Sequence, residues 1–280
     1  MTEIPPRSDD VTALARLEPV LARYPARVIA CSGGIDSLVL ATVAHRAAPT
    51  GTSIAHTVTP AVPAAATARV VAYAEREGWM LELVRSSEFD DERYLANPTD
   101  RCYFCKTNLY DAIDTVVRDA AAPAGTVVLS GANTDDLGDY RPGLSAAREH
   151  GVRHPYLEAG VSKHNIRHVA RTFGIEHAEM PASPCLASRL YTGTRVTAGR
   201  LRAVEVGEAA ILELTGVEIS RCRVRDDEVL VEVPLEDRIL ITDGVLESLT
   251  TAMRAIYPSL VRVRLDAEPY RSGRAFLQVR

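Results

Sequence analysis

The chain has little that would mark a secreted or membrane-bound protein. No apolar stretch is long enough to span a bilayer, so no membrane partner is expected. Residues 1–6 lack a basic start followed by an apolar run, so no signal peptide is expected. Cysteine is sparse, with five in 280 residues. The odd count and the missing export signal argue against a disulfide framework and favour a reducing, cytoplasmic location.

Positively charged residues are also few relative to negatively charged ones. The 32 Lys and Arg residues are outnumbered by 37 Asp and Glu residues, which gives a formal net charge of −5. Proteins that grip a polynucleotide usually present a basic face, so no nucleic-acid partner is expected. A small anionic substrate held by a few arginines fits this balance better. The length leaves room for about two domains.

A glycine turn between a predicted strand and a predicted helix is the strongest motif present. It comprises Ser32, Gly33, Gly34, Ile35, Asp36 and Ser37. Glycines let the backbone approach a ligand, and a helix N-terminus offers unpaired N–H groups to an anion. Asp36 would repel a phosphate unless a cation lay between them, which indicates a Mg²⁺ or water contact. The Gly-Lys-Ser/Thr ending of a Walker A loop is missing, so γ-phosphate transfer is not indicated. The alternative is an ordinary glycine turn.

Strand-like and helix-like segments alternate through the first two thirds of the chain. Strands are predicted at 27–31, 53–58, 80–84 and 126–129. Helices are predicted over 65–77, after Cys105 and around 166–173. This alternation predicts an α/β fold with a doubly wound, mostly parallel sheet. Ligands bind at the carboxyl ends of such strands, where the 32–37 turn lies.

The pattern changes beyond the proline-rich stretch 181–185. A small C-terminal α+β domain is predicted, with a helix over 197–214, a hairpin around residues 226–227, a helix over 235–256 and a strand at 260–265. The predicted domains are 1–192 and 193–280.

Three cysteines stand in settings that suit chemistry. Cys102 and Cys105 form a CxxC flanked by Arg101 and Lys106, whose charges favour the thiolate form. Two thiolates at this spacing can hold a metal or a cluster, or act as a redox pair. Cys185 follows a proline in a loop, where a nucleophile would be displayed. Three thiolates suit a cluster with one iron left open, and three buried apolar cysteines are the alternative.

Two further groups of charged residues lie at predicted strand ends or faces. The segment 131–143 follows a buried strand and carries three aspartates and an arginine, which suit Mg²⁺ and developing phosphorus charge. A solvated acidic turn is the alternative. Arg221 and Arg223 fall on one face of a predicted strand and could clamp a phosphate or carboxylate. A solvated strand face is nearly as good an interpretation of that spacing.

The chain resembles the LarE family in five segments taken together and in this order. They are 31–37, 101–106, 131–143, 181–189 and 221–223. Members of this family are ATP-dependent pyridinium-3,5-biscarboxylic acid mononucleotide sulfurtransferases of the PP-loop ATP pyrophosphatase superfamily. The resemblance implies an adenine nucleotide alpha hydrolase-like fold and use of ATP and Mg²⁺. It also implies adenylation of a substrate carboxylate, conversion to a thiocarboxylate, and a role in making the nickel-pincer nucleotide cofactor.

The resemblance also assigns roles to the cysteines. Cys185 matches the sulfur-bearing cysteine of the family. Some members have only that cysteine and sacrifice its sulfur, which leaves dehydroalanine. Others have three cysteines that hold a [4Fe-4S] cluster carrying a further sulfide, and Cys102, Cys105 and Cys185 match this second kind.

The same resemblance reaches the C-terminal domain. Arg221 and Arg223 match paired arginines that receive the substrate phosphate, and Glu208 matches a glutamate implicated in metal contact. The family forms hexamers, so a homo-oligomer is implied, with domain 193–280 serving substrate binding and oligomerisation.

Two other functional classes remain open. A PP-loop tRNA thiolase also uses a CxxC with a distant cysteine, although the acidic balance and the segment 181–189 argue against tRNA. A non-catalytic nucleotide-binding or assembly protein would not turn ATP over to AMP in the presence of substrate.

Overall fold

A computed structural model describes residues 8–119, 122–138, 141–181 and 184–271. The chain divides into two compact units. Unit 1 comprises Met1–Ser87 and Cys102–Ser183, and unit 2 comprises Glu88–Arg101 and Pro184–Arg280. The boundary between residues 192 and 193 stays a prediction.

Helices account for most of the regular structure. They are α1 (Ser8–Ala22), α2 (Ile35–Ala47), α3 (Ala64–Glu77), α4 (Glu92–Leu95), α5 (Arg101–Asp119), α6 (Pro142–Glu149), α7 (Pro155–Glu158), α8 (Lys163–Thr172), α9 (Ala198–Thr215) and α10 (Asp243–Ile256). Within the described ranges, none is long and apolar enough to cross a membrane.

Unit 1 is built on a four-stranded parallel sheet. Its strands are β1 (Arg27–Ala30), β2 (Thr52–Thr57), β3 (Met80–Val84) and β4 (Val127–Ser130). The strand order is β3-β2-β1-β4. The apolar runs of β1, β2 and β4 are largely buried because helices cover such a sheet. The predicted α/β fold with a parallel sheet is confirmed.

Unit 2 contains a smaller mixed sheet, made of β5 (Arg221–Arg225), β6 (Glu228–Glu232) and β7 (Arg262–Leu265). β5 and β6 form an antiparallel hairpin, and β7 pairs parallel to β6. Asp226 turns the hairpin with a positive φ of 53°, a conformation that aspartate tolerates better than most residues. The predicted C-terminal α+β unit is confirmed.

Two predicted helix boundaries are wrong. Helix α5 starts at Arg101, so the CxxC lies inside its first turns rather than before it; the apolar spacing used for the prediction begins only at Leu109. Helix α10 starts at Asp243 rather than 235, because the Thr242 side chain accepts a hydrogen bond from the Val245 N–H and caps it there. Leu235, Ile239 and Leu240, which precede this cap, mimic a helical pattern but are exposed.

Close packing in unit 2 generates a stability prediction. A Cβ atom placed at Gly207 of α9 would lie 2.8 Å from Met253 Sδ and 3.0 Å from Cys222 Sγ. Both neighbours are fully buried, so we expect Gly207→Ala to destabilise the fold by about 1–3 kcal/mol through overpacking.

Gly199→Ala, in the same helix, is the matched control. Its nearest neighbour would be a Tyr257 ring carbon at 3.4 Å, and alanine favours a helix over glycine, so it should be neutral or slightly stabilising. Urea unfolding measures both variants, and equal stabilities would contradict this packing.

Candidate functional site

The glycine turn lies between β1 and α2, at the carboxyl end of the sheet. Gly33 has a φ of +77°, and a Cβ atom there would lie 2.7 Å from the backbone oxygen of Ala66. Only glycine satisfies both conditions. Gly34 is the N-cap of α2 and provides no side-chain cap. The first N–H groups of α2 therefore face the position where an anion is favoured.

The turn is held together by its own hydroxyl groups. The Ser37 hydroxyl accepts a hydrogen bond from the Ser32 N–H at 3.1 Å and donates to the Gly34 carbonyl at 2.9 Å. Ser37 is buried, whereas Ser32 is exposed. Ser37 therefore shapes the turn, and Ser32 is the hydroxyl that a ligand could reach.

Two residues that sequence reasoning missed support this turn. Arg69 of α3 donates to the Gly33 carbonyl at 2.7 Å and so brings a positive charge to the turn. The buried Tyr156 of α7 donates to the Asp36 carbonyl at 3.0 Å. Both lie far away in the sequence, and neither belongs to a motif, so no local signal could have identified them.

Asp36 is partly buried, and one of its carboxylate oxygens is buried completely. The Asn133 amide lies 3.5 Å from its Oδ2, while its Oδ1 is buried without a hydrogen-bond partner among the described residues. Burial raises the pKa of Asp36, Lys163 opposes this shift, and Asp136 adds to it. A buried carboxylate oxygen without a partner is a suitable ligand for a hard cation such as Mg²⁺.

The acidic segment 131–143 packs against the glycine turn, as its place after β4 predicts. A Cβ atom at Gly131 would lie 3.1 Å from the Ser37 nitrogen. This close approach places the segment beside the first turn of α2.

The two described aspartates of this segment already have partners. Asp135 accepts a hydrogen bond from the Lys163 N–H at 2.7 Å, and Asp136 forms an ion pair with Arg141 at 2.9 Å. Asp139 lies outside the described residues. Among the described acids, Asp36 is thus better placed for a cation than Asp135 or Asp136.

The CxxC lies in unit 1, at the start of α5. Cys102 and Cys105 are partly exposed, and their spacing of three places them on one helix face. A Cβ atom at Gly143 of α6 would lie 3.1 Å from Lys106 Cγ and 3.6 Å from the Cys102 oxygen. The acidic segment therefore ends against the turn that carries the CxxC.

Cys185 lies in unit 2, where it precedes a short 3₁₀ turn, Leu186–Arg189. Its thiol is free and partly exposed. The buried Arg189 holds both oxygens of Glu208 at 2.9 and 2.8 Å. Arg189 also donates to the Pro184 carbonyl at 2.8 Å. The cysteine is therefore displayed on a turn whose base is fixed by a buried ion pair.

Arg221 and Arg223 share a strand face but have different surroundings. Arg223 is 4% exposed and pairs with Glu232 at 3.0 Å. Arg221 is partly exposed, and its guanidinium lies 5.2 Å from the centre of the Tyr270 ring. Their joint role as a phosphate clamp stays a prediction.

The three cysteines of the predicted centre are divided between the two units. Cys102 and Cys105 belong to unit 1, whereas Cys185 belongs to unit 2. In the part of the chain that the structure describes, no group of three or more His, Cys, Asp or Glu side chains could hold a metal ion. Three thiolates have the right chemistry for an iron–sulfur cluster, and the centre stays a prediction.

Comparison of the sequence with known proteins identifies relatives of this chain. No family model matches it. It is 34% identical over 264 residues to the uncharacterized protein slr1717 of Synechocystis, an alignment that covers 93% of this chain and 96% of that protein. The chain belongs to the family of slr1717.

Two more distant relatives extend this result. The chain is 28% identical over 209 residues to the pyridinium-3,5-bisthiocarboxylic acid mononucleotide synthase of Lactiplantibacillus plantarum, covering 74% of this chain and 72% of the synthase. It is 26% identical over 210 residues to the uncharacterized protein MJ0830 of Methanocaldococcus jannaschii, covering 75% and 77%. The likeness to the synthase supports the LarE-type family indicated by the motifs.

The raised pKa of Asp36 predicts a pH-dependent stability effect. Because burial disfavours the charged carboxylate, ionisation of Asp36 costs stability as the pH rises through its folded pKa. We expect Asp36→Asn to raise the unfolding temperature at pH 7, with the gain vanishing below about pH 4, where the carboxyl is protonated. Thermal unfolding across this range measures it. A loss of stability at pH 7 would contradict the assignment.

Proposed function

We propose that the protein is an ATP-dependent sulfurtransferase that converts a carboxylate of pyridinium-3,5-biscarboxylic acid mononucleotide to a thiocarboxylate. The observation that carries this proposal is the Cys185 turn, a partly exposed thiol on a base fixed by Arg189 and Glu208. The likeness to the pyridinium-3,5-bisthiocarboxylic acid mononucleotide synthase of Lactiplantibacillus plantarum supports the product class. The reaction would contribute to making a nickel-pincer nucleotide cofactor.

Activation of the carboxylate would take place at the glycine turn of unit 1. A carboxylate oxygen of the substrate attacks the α-phosphorus of ATP, the bond to the β-phosphate oxygen breaks, and pyrophosphate leaves. The N–H groups at the start of α2 receive the pyrophosphate, and Arg69 adds positive charge at the Gly33 carbonyl. Asp36 would hold Mg²⁺, which supplies charge neutralisation when bound.

Sulfur transfer would use Cys185. In the sacrificial route its thiolate attacks the acyl carbon and AMP leaves, which gives a thioester. Loss of the Cys185 Hα and cleavage of the Cβ–S bond then release the thiocarboxylate and leave dehydroalanine.

We favour the catalytic alternative, because the sacrificial route leaves the CxxC without a role. A [4Fe-4S] cluster held by Cys102, Cys105 and Cys185 would supply a replaceable sulfide when bound. Cys185 would then survive each turnover as a ligand.

The remaining parts of the proposal rest on the family resemblance. Arg221, the partly exposed member of the pair that the resemblance assigns to the substrate phosphate, would receive that group. The part of the chain over 193–280 would serve substrate binding and assembly into a cytoplasmic homo-oligomer, with hexamers as the expected form.

Substitutions in the glycine turn should abolish AMP formation. A Cβ atom at Gly34 would have only the Ser32 hydroxyl nearby, at 3.5 Å, so Gly34→Val should fold and block the approach of pyrophosphate. Asp36→Ala should fold and lose the cation. The control, Glu75→Ala, removes an exposed acid of α3 in the same unit. AMP release with ATP and substrate is measured. Unchanged release in both variants, with normal circular dichroism, would remove this turn from the mechanism.

The two sulfur routes differ in the mass of the enzyme after turnover. We expect protein reconstituted with iron and sulfide to keep Cys185 intact through several turnovers, and Cys102→Ala or Cys105→Ala to lose iron and multiple turnover. Mass spectrometry after reaction with ATP and substrate decides between the routes. Stoichiometric loss of one H₂S at position 185 would contradict the cluster route and support the sacrificial one.

A further inference from the structure

We propose that three buried arginines, Arg101, Arg189 and Arg223, are positioning residues that hold the turn carrying Cys185. Of the pair Arg221 and Arg223, Arg221 is the partly exposed member and would contact the substrate anion. This inference deepens the proposed sulfur transfer and rests on it for its kinetic consequence, but not for its structural one.

The three guanidinium groups bond to the backbone of this one turn. All of the acceptors are carbonyl oxygens between residues 184 and 188. The distances are 3.0 Å from Arg101 to Ala187, 2.8 Å and 3.3 Å from Arg189 to Pro184 and Cys185, and 3.0 Å from Arg223 to Ser188. Cationic donors form stronger hydrogen bonds than neutral ones, so the turn is held at several successive positions.

Burial and charge pairing show that these arginines face inward. Arg101, Arg189 and Arg223 are 4%, 3% and 4% exposed. Arg189 is paired with Glu208, and Arg223 with Glu232. Burying ion pairs is costly unless further hydrogen bonds complete them, and the carbonyl groups of the turn provide those bonds. For Arg223, the Nε–H is engaged by Glu232 and one terminal N–H by the Ser188 carbonyl.

Arg221 differs from Arg223 in its exposure. It is partly exposed, and burial together with the nearby Arg189 charge lowers its pKa. A bound anion would favour its charged form and offset both effects.

The turn needs support from side chains because it has few backbone hydrogen bonds of its own. It spans four residues after Cys185, with backbone bonds from the Ser188 N–H to the Cys185 carbonyl and from the Leu190 N–H to the Ala187 carbonyl. A reacting thiol displaced by about 1 Å can lose about a hundredfold in rate. The arginines therefore act on the reaction through the position of Cys185.

Arg223→Lys in the full-length chain separates a positioning role from a phosphate-binding role. Lysine keeps a positive charge near Glu232 but cannot reproduce the fork of two separate contacts. The control is Arg225→Lys, an exposed arginine two residues further along the same strand. The readouts are amide hydrogen exchange of peptide 184–190 and the separate kcat and KM for the pyridinium mononucleotide.

For Arg223→Lys we expect exchange at the Ser188 and Leu190 amides to speed up by about tenfold, because one charge-assisted bond is lost. The hairpin 221–232 should keep its protection. kcat should fall by about ten- to a hundredfold with KM nearly unchanged. Arg225→Lys should change neither readout. If Arg223→Lys does not fold, Arg101→Lys removes the bond to Ala187 without altering β5 and carries the same expectations.

A raised KM with unchanged kcat and unchanged exchange would overturn the proposal and make Arg223 a phosphate ligand. Unchanged exchange in both Arg223→Lys and Arg101→Lys would also overturn it. The exchange measurement needs no substrate. An absence of sulfur transfer by the wild-type protein would therefore count against the proposed function, while the positioning role would still be decided.

Discussion

The parallel pairing of β1 with both of its neighbours is the constraint on which unit 1 depends. Ala30, the last residue of β1, is in register with Ala55 of β2 and Ser130 of β4. Because parallel strands end at the same edge, the segments that follow β1 and β4 must leave the sheet side by side. This brings Gly131 against the start of α2 and the Asn133 amide to the Asp36 carboxylate. The site in unit 1 is thus a consequence of strand register.

The constraint in unit 2 is different, because there a cysteine lies on a short turn. A four-residue 3₁₀ turn satisfies few of its own carbonyl groups with backbone hydrogen bonds. Buried guanidinium groups supply the missing donors, and Glu208 and Glu232 compensate their charges. Glu208 also accepts a hydrogen bond from the Cys222 N–H. Such pairs add little net stability, but they fix one arrangement of the chain around them.

Local patterns in the sequence were sufficient for the strands, the glycine turn and the glycine-capped helix ends. The left-handed Gly78 after α3 and Gly216 after α9 show why, since each helix ends where only a residue without a Cβ fits easily. Contacts between distant residues could not be predicted in this way. Arg69 reaches Gly33, and Arg101 reaches Ala187, from positions that carry no periodic or motif signal. The start of α5 was missed for a related reason, because its first turns are not apolar.

Strand alternation alone could not predict the surroundings of Arg221 and Arg223. Period two correctly places both side chains on one face, but it does not say what covers that face. In the hairpin register Glu232 lies opposite Arg221, yet its carboxylate pairs with Arg223, which is diagonal to it. The more buried arginine therefore has its charge compensated within the protein. Arg221 lies near the positive charge of Arg189 and the negative charge of Glu208, so its surroundings differ from those of Arg223.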